Sequence, residues 1–239
     1  ESGRTGLVFE YVEGETLSAL IELEGALSPV RAVELMLDIL AGLSVAHEQG
    51  VIHRDLKPQN IMIDQSGRPR IMDFGVATSE SGQVGMLGTA GYMAPEMIKN
   101  LPVDAQADVF AAGMVLYQML TGQSPVDGGS VFATLNRIAN EAVKPPSALQ
   151  PGIDQKLDHL VMVALLKQPQ VRYADAGAMR DALASWLTSG QDAEHDSAGS
   201  NRHSTLDFLL RRMNHSPDFP VLSQTISAIN RINNSDRER

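Results

Sequence analysis

The sequence of 239 residues contains no cysteine, and only 5% of its residues are aromatic. The absence of cysteine excludes disulfide bonds and zinc sites with thiolate ligands, and it fits a reducing compartment, so we expect a cytoplasmic protein. No run of about 18 apolar residues is present, and the sequence therefore predicts no membrane-spanning segment. Positive charge is also scarce, since 19 Lys and Arg stand against 29 Asp and Glu, a net charge of −10. Because nucleic acids are bound through clustered Lys and Arg, we expect no nucleic-acid partner.

Alternation of apolar residues predicts three short strands, at residues 7–12, 61–63 and 70–72. The first strand is expected to end at Glu13-Gly14. The second and third flank a polar turn at residues 65–67, which is typical of a hairpin. Such a hairpin would bring Asp73 back beside Asn60.

Helical spacing of apolar residues predicts five helices, over residues 28–50, 105–121, 130–141, 154–167 and 175–187. The first begins at Ser28-Pro29, because Ser caps a helix and Pro favours its first turn. The helix over 105–121 is apolar nearly all round, with Asp108 as its only charged residue, which indicates a position inside the core. Residues 188–203 are rich in Ser, Gly, Asp and His and are expected to form a linker, followed by a helical connector or tail over 204–239.

Three short motifs follow one another in the chain. Residues 53–60 are His-Arg-Asp-Leu-Lys-Pro-Gln-Asn, residues 73–75 are Asp-Phe-Gly, and residues 94–96 are Ala-Pro-Glu. The first two supply two carboxylates, an ammonium group and an amide, which can accept a proton, neutralise phosphate and bind a metal ion through oxygen. Any one of the motifs alone would be a weak signal, but all three in this order are specific.

In these motifs the chain resembles the eukaryotic-type Ser/Thr protein kinases, in their bacterial branch, over roughly residues 5–187. The resemblance implies an α+β, protein-kinase-like fold with a mainly helical C-lobe and a small remnant of the N-lobe sheet, with the kinase domain at residues 1–187. It also implies a signal-transduction enzyme that transfers the γ-phosphoryl group of ATP to Ser or Thr hydroxyls of a protein substrate, with ATP and Mg²⁺ as cofactors.

The resemblance gives each polar residue of the motifs a role. Asp55 would accept the proton of the attacking hydroxyl, and Lys57 would offset charge on the transferred phosphoryl group. Asn60 and Asp73 would bind Mg²⁺ and, together with Lys57, the phosphates of the nucleotide. Thr89 would contact Asp55 and help to seat the substrate. Each residue also has an alternative structural interpretation: Asp55 as a solvated loop residue, Lys57 as a surface lysine, and, taken alone, Asn60 as a turn former and Asp73 as a helix cap.

The same resemblance assigns the adenine site to residues near the predicted first strand. Main-chain groups of Glu10 and Val12 would hydrogen-bond adenine as part of the hinge, and Phe9 would guard the back of the pocket. Met62 would form the floor under the ring. Without the resemblance, these residues would be interpreted as ordinary strand core.

Several other polar residues are expected to have structural or regulatory roles and to take no part in the chemical step. A buried carboxylate is costly unless it is hydrogen-bonded, and by resemblance Asp108 would accept N–H groups of the loop that carries Asp55. Glu96 and Arg172 match a buried salt bridge of the family. His53 is more typical of a satisfied core group than of a catalyst. Arg54 is a candidate for binding a phosphorylated residue.

The upper-lobe features of the family are not found in this sequence: a Gly-rich loop, a Val-Ala-x-Lys strand and a helix with the partner glutamate. We therefore expect an N-terminally truncated catalytic domain with negligible turnover by itself. Two alternatives remain open. One is a catalytically inactive pseudokinase or scaffold, and the other is a small-molecule kinase of the aminoglycoside type, which typically lacks the Lys57 pattern and the Ala-Pro-Glu segment.

Overall fold

The computed structural model describes residues 11–74 and 90–195. Glu13–Thr188 form one compact unit, and residues 1–12 with 189–239 form a second, of which residues 11, 12 and 189–195 are described. The described residues contain the helices α1 Leu17–Glu24, α2 Pro29–Glu48, α3 Pro95–Ile98, α4 Ala105–Thr121, α5 Val131–Asn140, α6 Gln155–Ala164 and α7 Ala176–His195. They also contain the strands β1 Gly14–Thr16, β2 Ile61–Asp64 and β3 Pro69–Ile71. The prediction of a mainly helical domain with a small sheet is confirmed.

The three strands form one antiparallel sheet with β2 in the centre. The hairpin of β2 and β3 is the predicted one, and its turn is held by the Asp64 carboxylate, whose Oδ1 accepts hydrogen bonds from the backbone N–H groups of Ser66 (2.9 Å) and Arg68 (3.1 Å). Burial raises the pKa of Asp64, but a hydrogen bond from the Ser66 hydroxyl (2.6 Å), these backbone bonds and a 3.0 Å bond from the Arg70 Nε together lower it to about 2. Hydrogen bonds to the Asp64 carboxylate therefore stabilise the turn of the hairpin.

Strand β1 was not predicted from the sequence, which placed a strand at residues 7–12 instead. Residues 7–10 of the predicted strand lie outside the described residues, Tyr11 and Val12 have no regular structure, and β1 begins at Gly14, where a stop was expected. A Cβ atom on Gly14 would lie 2.0 Å from the carbonyl oxygen of Ile63. Glycine is therefore needed here for close approach of two strands, and it was mistaken for a strand terminator.

Helix α4 lies in the centre of the unit, as predicted. It packs against α2 and α6, and its large side chains Phe110, Met114 and Tyr117 are at most 2% exposed. Gly113 allows the close contact with α6, because a Cβ atom there would lie 2.8 Å from the Cβ of Ala164. The burial of a helix on all sides explains why its sequence shows no polar face.

Two helices differ from the sequence prediction. Helix α1 was not predicted, although Thr16 caps it by accepting a hydrogen bond from the Ala19 N–H (3.1 Å) and Gly25 ends it with a φ of 75°. Helix α7 continues to His195, past residue 188 where the linker was expected to begin. Gly190 costs a helix only about 1 kcal/mol relative to alanine, so it does not have to end one. Among the described helices, none has the length and apolar character needed to cross a membrane.

Candidate active site

The loop at residues 53–60 is anchored by hydrogen bonds to a buried carboxylate of α4. Asp108 is 1% exposed, and its Oδ2 and Oδ1 accept hydrogen bonds from the backbone N–H groups of His53 (2.8 Å) and Arg54 (2.9 Å). Arg54 has a φ of 66°, a left-handed conformation that costs a non-glycine residue about 1–2 kcal/mol. The two charge-assisted hydrogen bonds stabilise this strained turn, and the turn determines where the next residue, Asp55, lies.

Asp55, Lys57 and Asn60 form one hydrogen-bonded cluster. The Lys57 Nζ donates to the Asp55 Oδ2 (2.8 Å), and the Asn60 Nδ2 donates to the same oxygen (3.0 Å) and to the Asp55 backbone carbonyl (2.8 Å). The other carboxylate oxygen, Oδ1, is buried and has no hydrogen-bond partner within residues 11–74 and 90–195. The carboxylate is thus oriented through one oxygen, while the lone pairs of the other are not used by the described residues.

His53 connects this loop to the segment that carries Asp73. Its Nδ1 accepts the backbone N–H of Asp55 (3.2 Å), so the ring proton is on Nε2, which lies 2.9 Å from the Met72 carbonyl oxygen and donates to it. The imidazole is 1% exposed and its ring centroid lies 4.8 Å from that of Phe74. Both ring nitrogens are occupied by structural bonds, as expected for a core histidine.

Asp73 comes one residue after Met72, and Met72 directly follows β3 and pairs with Asn60. The backbone N–H of Met72 donates to the Asn60 carbonyl (2.8 Å), which extends the hairpin to the residue before Asp73. Asp73 is exposed and has a φ of 57°, which turns the chain sharply at this point. The predicted hairpin therefore brings Met72, the residue before Asp73, into contact with Asn60.

The donor atoms of Asn60 and Asp73 fit a magnesium ion. Both side-chain hydrogen bonds of Asn60 to described residues use its amide nitrogen, so its Oδ1 is the atom that they leave for a cation. Asp73 adds a carboxylate, and Mg²⁺ prefers such oxygen ligands, commonly one or two from protein with the rest from phosphates and water. Within the described ranges no group of three or more His, Cys, Asp or Glu side chains could hold a metal ion. The described residues thus offer a two-ligand site and no all-protein cage.

The remaining predicted site residues are only partly described. Met62 lies in β2, half-buried, opposite Thr16 of β1 and Arg70 of β3. Val12 is half-buried and belongs to the second unit of the chain. Glu10, Phe9, Gly75 and Thr89 lie outside the described residues.

The expected pairing of Glu96 with Arg172 is present. Arg172 donates from Nη1 and Nη2 to the two carboxylate oxygens of Glu96, each at 2.7 Å, and the two side chains are 0% and 2% exposed. The guanidinium group also lies 5.0 Å from the centre of the Phe110 ring. The bridge joins the Ala-Pro-Glu segment to the loop before α7.

The part of the chain that contains these motifs is similar to known proteins. Residues 1–186 match the protein kinase domain family. The chain belongs to this family. It is 40% identical over 181 residues to the serine/threonine-protein kinase PknB of Mycobacterium tuberculosis, covering 73% of this chain and 29% of PknB. It is 38% identical over 191 residues to a probable serine/threonine-protein kinase PknB of Bifidobacterium longum, covering 77% of this chain and 28% of that protein.

A solved structure supports the same fold. This kinase domain superposes on a crystal structure of Rad53 in complex with AMP-PNP with a TM-score of 0.62 and 26% identity, covering 74% of this chain and 45% of the Rad53 chain. The chain spans less than a third of the length of the two PknB relatives. The predicted family and fold class are therefore confirmed.

Two polar contacts of this kinase domain were not predicted from the sequence. His47, in the last turn of α2, places its Nε2 2.8 Å from the Asp108 Oδ2. The Tyr92 hydroxyl donates to the Gln118 side chain, and burial raises the pKa of Tyr92 to about 12. A signal for His47 existed, because it lies four residues after Leu43 on the buried side of α2.

Proposed function

We propose that the protein carrying this domain is a Ser/Thr protein kinase that transfers the γ-phosphoryl group of ATP to hydroxyl groups of a protein substrate. The observation that carries the proposal is the shared hydrogen bonding of Asp55, Lys57 and Asn60 beside Asp73. The relatives named as serine/threonine-protein kinases support the choice of substrate class. The match of residues 1–186 to the protein kinase domain family supports the same choice.

In this proposal Asp55 holds the substrate hydroxyl and takes its proton. The carboxylate is fixed through Oδ2 by Lys57 and Asn60, so Oδ1 is the oxygen that can accept the proton as the hydroxyl oxygen attacks phosphorus. The Lys57 ammonium lies within hydrogen-bond distance of the same carboxylate, where its charge also opposes negative charge on the transferred group. Transfer is direct, and no covalent enzyme intermediate is formed.

Asn60 and Asp73 would hold Mg²⁺ through the amide Oδ1 and the carboxylate, and the ion would neutralise the phosphates of bound ATP. We assign the adenine contacts to Glu10, Val12 and Met62, and the seating of the substrate to Thr89, on the basis of the family resemblance. A cytoplasmic location, the absence of a nucleic-acid partner and the division into residues 1–187, 188–203 and 204–239 stay predictions from the sequence.

The test is phosphoryl transfer by the whole protein with γ-labelled ATP and Mg²⁺ to a test protein, followed by analysis of the labelled residues. Label is expected on Ser or Thr. The variant Asp55→Asn keeps the size of the side chain and removes its basicity, so the rate is expected to fall by about 10²–10⁴-fold. Asp181→Asn, an exposed change on α7, is the matched control and should keep the wild-type rate.

Other outcomes separate the alternatives. Absence of label with intact ATP binding would favour the pseudokinase or scaffold. Transfer to an aminoglycoside with none to protein would favour the small-molecule kinase. Transfer by Asp55→Asn at the wild-type rate would show that the assignment of the base is wrong, even if the protein is a kinase.

A further inference from the structure

A cavity of about 300 Å³ lies beside the C-terminal end of α4. Its walls come from the end of α4, the loop at residues 123–127, the C-terminal half of α5 and the segment at residues 141–149. Val126 and Leu149 supply apolar surface to this lining. Since a water molecule takes about 30 Å³ in the liquid, the cavity has room for a small molecule of about ten non-hydrogen atoms. None of the lining residues has been assigned to ATP, to Mg²⁺ or to phosphoryl transfer.

The most deeply buried part of the lining, Tyr117, has a hydroxyl group without a partner. Tyr117 is 2% exposed, and no described residue hydrogen-bonds its hydroxyl. Among the described residues, the fully buried side-chain atoms that lack a partner belong to His47, Asp55 and Lys167. The Tyr117 hydroxyl is not one of them, so it keeps access to the cavity that its side chain lines. Because buried polar groups are nearly always hydrogen-bonded, this hydroxyl calls for a partner inside the cavity.

The group that meets the Tyr117 hydroxyl has to be uncharged. Burial raises the pKa of Tyr117, and the negative charge of the nearby Asp158 raises it further, so the hydroxyl stays protonated. The Asp158 carboxylate is itself held by the backbone N–H of Ser147 (2.9 Å) and by the Ser147 hydroxyl. The same negative charge that disfavours a phenolate also repels a ligand anion at this depth. A neutral hydroxyl or carbonyl group is therefore the partner that fits Tyr117.

The exposed rim of the cavity carries a cation that the described residues leave unpaired. Lys144 lines the cavity, is exposed, and makes no salt bridge or hydrogen bond with a described residue. The other cation of the lining, Arg137, donates from Nη1 to the Asp127 carbonyl oxygen, and its Nε lies 3.8 Å from the Glu141 Oε2. Lys144 is thus the lining cation that is available to an anionic group of a ligand.

We propose that this cavity binds a small organic acid with a carboxylate at one end, an apolar ring in the middle and a neutral hydroxyl or carbonyl group at the other end. Lys144 binds the carboxylate at the rim, and Tyr117 hydrogen-bonds the neutral group at depth. The lining of Val126 and Leu149 contacts the ring. The inference goes beyond the proposed function and does not depend on it, because the site shares no residue with the phosphoryl-transfer cluster.

The probe is 4-hydroxyphenylacetate, which has all three parts and fits the volume. Its binding to the whole protein is measured by ligand-observed NMR, with the dissociation constant taken from a titration. We expect saturable binding with a dissociation constant of about 1 mM or lower, which suits a molecule of this size. Saturating ATP and Mg²⁺ should not displace the probe. Two matched probes each lack one part: phenylacetate lacks the hydroxyl, and 4-hydroxyphenylacetamide lacks the charge.

Three variants connect each part of the probe to a residue. Tyr117→Phe should weaken 4-hydroxyphenylacetate roughly three- to tenfold and leave phenylacetate unchanged. Lys144→Met should weaken the two acids about two- to fivefold at low ionic strength and leave the amide unchanged. Lys156→Met is the matched control, because Lys156 is an exposed cation on α6 that does not line the cavity. This control should bind all three probes as the wild type does.

Several results would overturn the inference. One is the absence of saturable binding at about 10 mM probe, which would mean that the cavity holds water only. Displacement by ATP would place the probe in the nucleotide site, and equal binding of the probe to the wild type, Tyr117→Phe and Lys144→Met would place it elsewhere on the surface. Urea unfolding adds a check without a ligand. Tyr117→Phe should keep the wild-type midpoint, and a clearly lower midpoint would show that the hydroxyl already has a partner within the protein.

Discussion

Replacing Glu96 by Gln removes one charge of the buried Glu96–Arg172 pair and keeps the shape of the side chain nearly unchanged. Both contacts of the pair are 2.7 Å long, and the side chains of Glu96 and Arg172 are 2% and 0% exposed. Water therefore cannot solvate the guanidinium charge that remains after the substitution. Arg172 would then be a buried cation without a counter-ion, close enough to Lys167 for the two like charges to repel. Removal of one partner of such a pair costs about 3–5 kcal/mol.

Some of the loss is offset by bonds that the guanidinium group keeps. It also donates to the backbone carbonyl oxygens of Leu166 (2.6 Å), Gln106 (3.0 Å) and Lys167 (3.1 Å). These carbonyls carry partial charge only, so they cannot replace a carboxylate. We therefore expect Glu96→Gln to lower the free energy of unfolding by about 3 kcal/mol, the lower end of the range.

Urea unfolding followed by circular dichroism measures the effect, with the free energy taken from the midpoint and slope of the transition. The matched control is Glu141→Gln, which removes the same group from an exposed pair, since Glu141 lies 3.8 Å from Arg137 and the two side chains are 60% and 46% exposed. This control should change stability by about 0.5 kcal/mol at most. If Glu96→Gln changes the free energy of unfolding by no more than the control does, the argument from desolvation is refuted.

Two further stability predictions concern single charges. Lys167 Nζ is buried with no hydrogen bond in the described part of the chain, and burial, then Arg172, lowers its pKa, so Lys167→Met should raise the urea midpoint at pH 7. The gain should shrink as the pH approaches about 10, and a lower midpoint at pH 7 would contradict it. Asp64, with its pKa lowered to about 2, stabilises the fold above its usual pKa of 3.8 and loses this contribution as the pH falls toward 2. Asp64→Asn should therefore cost up to ~2 kcal/mol at pH 5 and clearly less at pH 3 in urea unfolding, and an equal cost at both pH values would exclude this linkage.

Prediction from the sequence worked best where the pattern was local and strong. Helix α4 was predicted with its observed bounds, because seventeen residues with one charge and a following Gly122 leave few other interpretations. It failed at β1 and α1, where short segments carry little periodicity. Gly14 was interpreted as a stop because the partner strand that it approaches, β2, lies about fifty residues away in the chain.

The candidate site shows the same division. The motifs predicted the cluster of Asp55, Lys57 and Asn60 and the approach of Asp73, since these residues lie in one loop and one hairpin. His47 was missed because its partner, Asp108, lies 61 positions further along the chain. The sequence around either residue contains no pattern that predicts the contact. Asp108 itself was expected to bond the loop, but only through the family resemblance.

The sequence by itself determined the residue types of the site, the main helices and the family, because these depend on local patterns and on motifs of fixed spacing. Only the tertiary structure decided which oxygen of Asp55 the other described residues leave without a hydrogen bond, which nitrogen of His53 carries the proton, and that His47 bonds Asp108. The physical reason is that hydrogen bonds between distant segments form when apolar burial brings those segments together. The geometry of these hydrogen bonds depends on how the core packs, and it cannot be predicted from any one segment of the sequence.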